Sequence, residues 1–106
     1  MRTILAVFAC LSPFLFAAPA EAANARKGGE IAQIMCGRCH ATRLSGISKH
    51  PQAPAFRKVA IKYPVEQLQE ALAEGITTGH PDMPEFELTT DQIEDMIAYL
   101  KTLRRK

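Results

Sequence analysis

NARKGGEIAQIMCGRCH, residues 24–40, is the stretch from which the rest of the chain can be read. Ile31, Ile34 and Met35 fall on or near one face at helical spacing, with Gly28 and Ala32 forming a groove of small residues beside them. A helix is therefore expected from Asn24 to about His40. It ends in Cys36-Gly37-Arg38-Cys39-His40. Thiols at i and i+3 share one helix face, and a histidine follows at once, so a single turn delivers two sulfurs and an imidazole.

Toward the C-terminus, residues 41–53 are rich in Ser, Gly, His and Pro and read as a loop. Pro54 to Ile61 suits a short helix with Phe56, Val59 and Ala60 as its apolar face. Tyr63-Pro64 opens another, since proline is tolerated in a first turn, and Gly75 ends it; Val65, Leu68 and Leu72 keep helical spacing between them. A second loop, 76–88, carries Gly79, Pro81 and Pro84. The last helix has the clearest start. Thr89 is a good N-cap, Gln92 stands where a capping-box partner belongs, and Leu88 with Ile93 can form the hydrophobic staple. Ile93, Met96, Ile97, Leu100 and Leu103 then recur every three or four residues. No alternating strand pattern of useful length occurs, so the fold class is all-α.

Toward the N-terminus, Met1 and Arg2 precede an apolar run from Ile4 to Ala18, followed by Ala18-Pro19-Ala20-Glu21-Ala22. A basic start, a hydrophobic stretch and alternating small residues predict a cleavable secretory signal over 1–22 and a domain over 23–106. Cleavage after Ala20 also fits the pattern, and an uncleaved anchor is the alternative. The run is shorter than the roughly 20 apolar residues of a membrane span, so no stable span is expected after cleavage. Of the three cysteines, Cys10 leaves with the signal. The whole chain has 106 residues, 47% hydrophobic, no Trp and a net charge of +2. That excludes a multidomain enzyme and gives no case for nucleic acid. So small a domain buries little core and is marginal without a staple, metal or cofactor.

Cys-x-x-Cys-His supplies one. It is the covalent attachment signature of c-type haem: both thiols can add to the vinyl groups along one side of the porphyrin, and His40 then meets the iron as proximal ligand. Three rivals use the same atoms. A thioredoxin-like redox pair needs a βαβ setting that is missing. A zinc site needs a fourth ligand from His50 or His80, at spacings that match no finger. A disulfide across i,i+3 closes a loop too short to stabilise much. A secretory signal agrees with haem, and an apolar cleft between His40 and Met83 is expected to receive it.

Three segments carry a resemblance: Ala25-Arg-Lys-Gly28 through Cys-Gly-Arg-Cys-His40; Ala53-Pro54-Ala55-Phe56; and His80-Pro81-Asp82-Met83-Pro84-Glu85-Phe86 running into Tyr99-Leu100. Together they span nearly all of 23–106, and the domain resembles the small bacterial class I c-type cytochromes, with one haem ligated by His and Met. The resemblance implies first and last helices crossing around the haem, with Gly28 at the crossing against Tyr99 or Leu100. Many members carry an aromatic residue four before the first Cys, where this chain has Ala32. It implies a cofactor site of Cys36, Cys39, His40, Met83 and Pro54, with His40 and Met83 on the iron and the Pro54 carbonyl accepting from Nδ1–H of His40.

Among the other methionines, Met35 adjoins Cys36 and cannot reach the distal side, and Met96 falls in the apolar stripe of the last helix. Met83 lies in a loop before a proline, the setting of the family's thioether ligand. His80 is the competing ligand, and His50 is expected at the surface or the haem rim. A His/Met pair raises the potential relative to two histidines and leaves no open coordination site.

Charge is segregated. Eight basic residues and one acid, Glu30, fall between residues 23 and 62, nine acids and no Lys or Arg between Glu66 and Asp95, and four positive charges in the last six residues. Glu66, Glu70 and Glu74 at i,i+4 read as a solvated face. Arg38 and Arg43, with Lys49, would rim the point of electron entry and steer an acidic partner. The expected function is single-electron transfer between larger redox proteins in the periplasm, as a diffusible carrier or a small cytochrome subunit. The alternative is a haem enzyme or gas sensor with an open or labile sixth site.

Overall fold

The computed structural model describes residues 12–16, 22–75 and 81–104. The described residues form four helices and no strand: α1 (Ala25–Cys36), α2 (Phe56–Lys62), α3 (Leu68–Glu74), which a 3-10 turn (Val65–Gln67) precedes, and α4 (Thr90–Thr102). The expected all-α architecture is the one found. The reading of residues 1–22 as a signal, Cys10 included, falls mostly outside the described residues, as does His80.

Helix α4 begins where its capping box sits. The Thr89 hydroxyl accepts from the Gln92 N–H at 3.3 Å while the Gln92 side chain accepts from the Thr89 N–H at 3.0 Å. Two of the N–H groups that every helix start leaves orphaned are thereby satisfied. Its apolar stripe, Ile93, Met96, Ile97 and Leu100, continues to Leu103 and is buried with Ala32, Ala60 and Val65. Each large side chain in that set contributes about 1.5–3 kcal/mol on leaving water. Met96 is 2% exposed and belongs to this core.

Helix α1 packs more extensively on α4 than any other pair of elements. Asn24 caps it by accepting from the Lys27 N–H at 3.1 Å, and the Asn24 main-chain N–H donates to the Asp95 carboxylate at 2.6 Å. The crossing is tighter than side chains allow. A Cβ placed on Gly28 would overlap the main-chain carbonyl of Asp95, whereas one on Gly29 would lie 2.9 Å from the Tyr99 ring. Gly28 thus meets α4 one turn before the expected Tyr99 or Leu100, and Tyr99 lies over Gly29. Asp95 sets this register, because its side chain already holds the N-cap of α1. Ala32, where an aromatic residue is common, is wholly buried.

Two boundaries differ from those expected. Helix α1 stops at Cys36, with Gly37 as its C-cap, instead of running to His40; both the Cys39 and His40 N–H groups return to the Cys36 carbonyl, at 3.2 and 2.9 Å, which tightens the chain into a turn. Helix α2 starts at Phe56 and not at Pro54, whose carbonyl points elsewhere. The third helix opens with the 3-10 turn after Pro64 and closes at Gly75, whose φ of +87° favours glycine. Glu66 is not simply part of a solvated face. It pairs with Lys101 at 3.5 Å and Arg104 at 3.1 Å, and Arg104 also donates to the Ala60 carbonyl at 3.1 Å, which fastens the end of α4 to α2 and the 3-10 turn. A hydrogen bond from its own backbone, and after it these two cations, hold the exposed Glu66 carboxyl below its usual range.

Candidate haem attachment site

The turn after α1 brings together the two thiols and the imidazole. Cys36 packs against the core, Cys39 is half-buried, and both are free thiols. Burial pushes the Cys36 thiol up to about 11. A group so disposed stays protonated and is a poor thiolate nucleophile or zinc ligand, which weighs against the redox-pair and zinc readings. Among the described residues no group of three or more His, Cys, Asp or Glu side chains converges as a metal site.

His40 is held from two sides. Its Nδ1 lies 2.7 Å from the Pro54 carbonyl oxygen, so Nδ1 carries the proton and donates, and Nε2 keeps its lone pair. The Phe56 ring sits 5.1 Å from the imidazole, tilted by 51°. The loop between them folds back on the motif. Phe56 N–H donates to the Ala41 carbonyl at 2.8 Å, Ala41 N–H to the Ser48 hydroxyl at 2.9 Å, and His50 N–H to the Cys39 carbonyl at 3.1 Å. An imidazole fixed through Nδ1 with Nε2 available is the usual arrangement of a metal-bound histidine.

Met83 lies half-buried in the segment after Pro81. The neighbouring Asp82 is joined to the attachment loop, its carboxylate 3.2 Å from Nε2 of His50. The expectation for His50, surface or rim, did not include this partner. The two residues are far apart in sequence, and neither stands in a motif that would have paired them. Met35 is half-buried beside Cys36.

Two further features were not legible in the sequence. Gln33 accepts from the Thr42 hydroxyl at 2.7 Å, and the Tyr99 hydroxyl donates to the Thr42 carbonyl at 2.5 Å. Gln33 thereby covers Gly37, where a Cβ would lie 2.9 Å from its Nε2. Arg57, next to Phe56, has its Nη1 buried with no hydrogen-bond partner among the described residues. A buried unpaired guanidinium nitrogen is an unspent donor, the kind that an anionic group satisfies. Haem carries two carboxylates. The donor set therefore suits that cofactor on three counts: two free thiols one turn apart, an oriented imidazole, and an orphaned cationic donor. The expected cleft between His40 and Met83 does not coincide with either of the best-formed grooves of the described residues: one of about 550 Å³ between α1 and α4 includes Gly29, Ile34, Arg43 and Tyr99, and the other follows the 3-10 turn and α3.

The family described as cytochrome C oxidase, cbb3-type, subunit III matches residues 23–100. This chain is a c-type cytochrome of that family. It is 32% identical over 85 residues to cytochrome c-552 of Bradyrhizobium diazoefficiens, covering 80% of each chain, and 30% identical over 108 residues to cytochrome c6 of a Picosynechococcus species, covering 94% of this chain and 92% of the other. No solved structure matches significantly. The small class I cytochrome thus carries one covalently attached haem c and transfers electrons; it is not an enzyme in its own right. No helix among the described residues is long and apolar enough to cross a membrane.

Proposed function

We propose that residues 23–106 are a periplasmic monohaem cytochrome in which Cys36 and Cys39 hold the haem covalently and His40 and Met83 ligate its iron. The observation that carries this reading is the 2.7 Å bond between His40 Nδ1 and the Pro54 carbonyl, beside two free thiols. It fixes the tautomer and the orientation of the ring, and leaves Nε2 as the atom that meets a metal. The haem supplies a one-electron ferric/ferrous couple. The protein's part is to orient the imidazole, to bring Met83 in from a proline-flanked loop, and to keep water from the ring with the apolar core behind Cys36. A thioether in the sixth position favours the ferrous state.

Export is supported by the apolar run and small residues before Ala23, and the family match begins at residue 23. Larger redox proteins are the partners, met at the basic rim of Arg38, Arg43 and Lys49, all exposed. The family's description concerns a subunit of an oxidase, which supports a bound cytochrome subunit as readily as a diffusing carrier.

Optical spectra of protein matured with haem-attachment machinery test the reading. A reduced c-type spectrum, a sulfur-to-iron charge-transfer band when oxidised and no response to carbon monoxide are expected. Ready carbon monoxide binding or a high-spin ferric spectrum would overturn His/Met ligation, and absence of covalent haem would overturn the site.

A further inference from the structure

His50 and Asp82 bridge two segments with different duties. His50 belongs to the loop that folds back on the attachment turn. Asp82 immediately precedes Met83. The bridge is directional. Nδ1 of His50 accepts from the Gln52 N–H at 3.1 Å, so the proton of the neutral ring resides on Nε2, and that N–H donates to the Asp82 carboxylate at 3.2 Å.

The histidine is itself anchored. Its main-chain N–H donates to the Cys39 carbonyl at 3.1 Å, and its carbonyl accepts from Ala53 N–H at 3.2 Å. A continuous path therefore runs from the Cys39 carbonyl through the His50 backbone and ring to the Asp82 carboxylate and on to Met83. Its His50 end is half-buried, the side chain 25% exposed, and its Asp82 end is more exposed, at 66%. Farther along, Leu88 packs into the core and Thr89 begins the capped α4.

We propose that His50 and Asp82 are positioning residues: a latch that ties the Met83 loop to the haem-attachment turn and so keeps the thioether at the iron. This rests on the reading of Met83 as sixth ligand and adds to it the contact that holds that ligand. A thioether is a weak ligand to ferric iron, so its occupancy depends on how far the loop is confined before the bond forms. Fixing one neighbour of a ligand raises its effective concentration at the metal without any new contact to it. Opening the latch eases displacement of Met83 from the oxidised protein and leaves the reduced protein, where the thioether binds better, little changed.

The test is a double-mutant cycle on the covalent holoprotein, read by titrating the oxidised form with imidazole and following the sulfur-to-iron band. Wild type, His50→Ala, Asp82→Ala and the double variant are compared, with Asp82→Asn as the conservative replacement that keeps an acceptor oxygen. His50→Ala and Asp82→Ala are each expected to tighten imidazole binding about two- to fivefold, the range of a partly exposed charge-assisted contact. The double variant is expected to go no further than either single one, and Asp82→Asn to stay near wild type. Asp82 is exposed enough that its variants fold even if His50→Ala does not. The latch is overturned if Asp82→Ala binds imidazole as wild type does, or if His50→Ala has an undiminished effect in the Asp82→Ala background. Failure of the underlying reading looks different: the wild type lacks the sulfur-to-iron band, or Met83→Ala binds imidazole no more tightly than wild type.

Discussion

The hydroxyl of Tyr99 donates to the main-chain carbonyl of Thr42, a residue only 3% exposed, so a single oxygen joins α4 to the chain just past the attachment histidine. Thr42 in turn donates through its own hydroxyl to Gln33, which covers Gly37 inside the Cys-x-x-Cys-His turn. Removing the phenol hydroxyl strands a carbonyl that water reaches poorly. Tyr99→Phe is expected to cost about 1 kcal/mol of unfolding free energy in the holoprotein at neutral pH, measured by denaturant melts. The pH dependence has a definite sign. Burial raises the ionisation of Tyr99 above its usual value, opposed in part by the nearby charge of Arg43. An acid whose folded value is raised contributes its stability fully below the unfolded value, near 10, and loses that margin as pH climbs toward the folded value. The gap between wild type and Tyr99→Phe should therefore be constant from pH 6 to 9 and shift only above about 10. A gap that already changes near pH 7 would show that some other group sets it.

Between elements, the decisive contact is helix against helix at the α1–α4 crossing, and it depends on a missing side chain. A methyl group on Gly28 has no free volume, because what it meets is the backbone of Asp95 and Met96. On Gly29 it meets the edge of a ring, which can give by tenths of an ångström, although the bond from Tyr99 to Thr42 limits how far. Alanine gains about 1 kcal/mol in helix propensity at either position. Gly28→Ala should nevertheless lose about 2 kcal/mol net, lowering Tm by roughly 10 °C, because the helices must separate. Gly29→Ala should fall within about 1 kcal/mol of wild type. Equal melting temperatures for the two variants would contradict the observed register. This contrast also marks what the sequence allowed. Spacing showed that two amphipathic helices flank the chain, and Thr89 with Gln92 located the start of α4 to the residue. Pattern alone did not separate Gly28 from Gly29, and Gly28 was expected at the crossing only through the resemblance, since which glycine faces a neighbour depends on where Asp95 grips Asn24, a contact between opposite ends of the domain. The end of α1 was misplaced for a related reason. Helical periodicity continues through the cysteines, but Gly37 and the doubled use of the Cys36 carbonyl close the helix early.

Across the whole molecule the sequence was most informative where chemistry is local. Cys36, Cys39 and His40 stand within five residues, and their assignment needed no tertiary structure. The bond from His40 to Pro54 was expected only through resemblance, and the His50–Asp82 and Arg104–Glu66 ties were not expected at all, being contacts between segments with no shared motif. Charge segregation was also plain in the sequence, and it has a consequence for function that no single contact carries. Basic residues concentrate in the half that bears the attachment turn, with Arg38, Arg43 and Lys49 exposed, while the acids occupy the later segments, so a small net charge of +2 conceals a polarised surface. If the proposed docking at the basic rim holds, a partner with an acidic face is drawn toward the attachment side before contact, which raises the encounter rate more than the final affinity. Such steering acts over about a Debye length, roughly 30 Å at 0.01 M salt and under 10 Å above 0.15 M. The second-order rate of electron exchange with an acidic redox protein should fall by about tenfold or more over that range and beyond, to 0.5 M. Arg38→Gln with Arg43→Gln should lower the low-salt rate and flatten the dependence, with the high-salt rate unchanged. A basic partner should show the opposite slope, because like charges are what salt then screens. If the acidic partner's rate is flat in ionic strength, or the double variant retains the full salt dependence, the basic rim is an ordinary solvated surface and docking is governed by the apolar contacts around the haem edge alone.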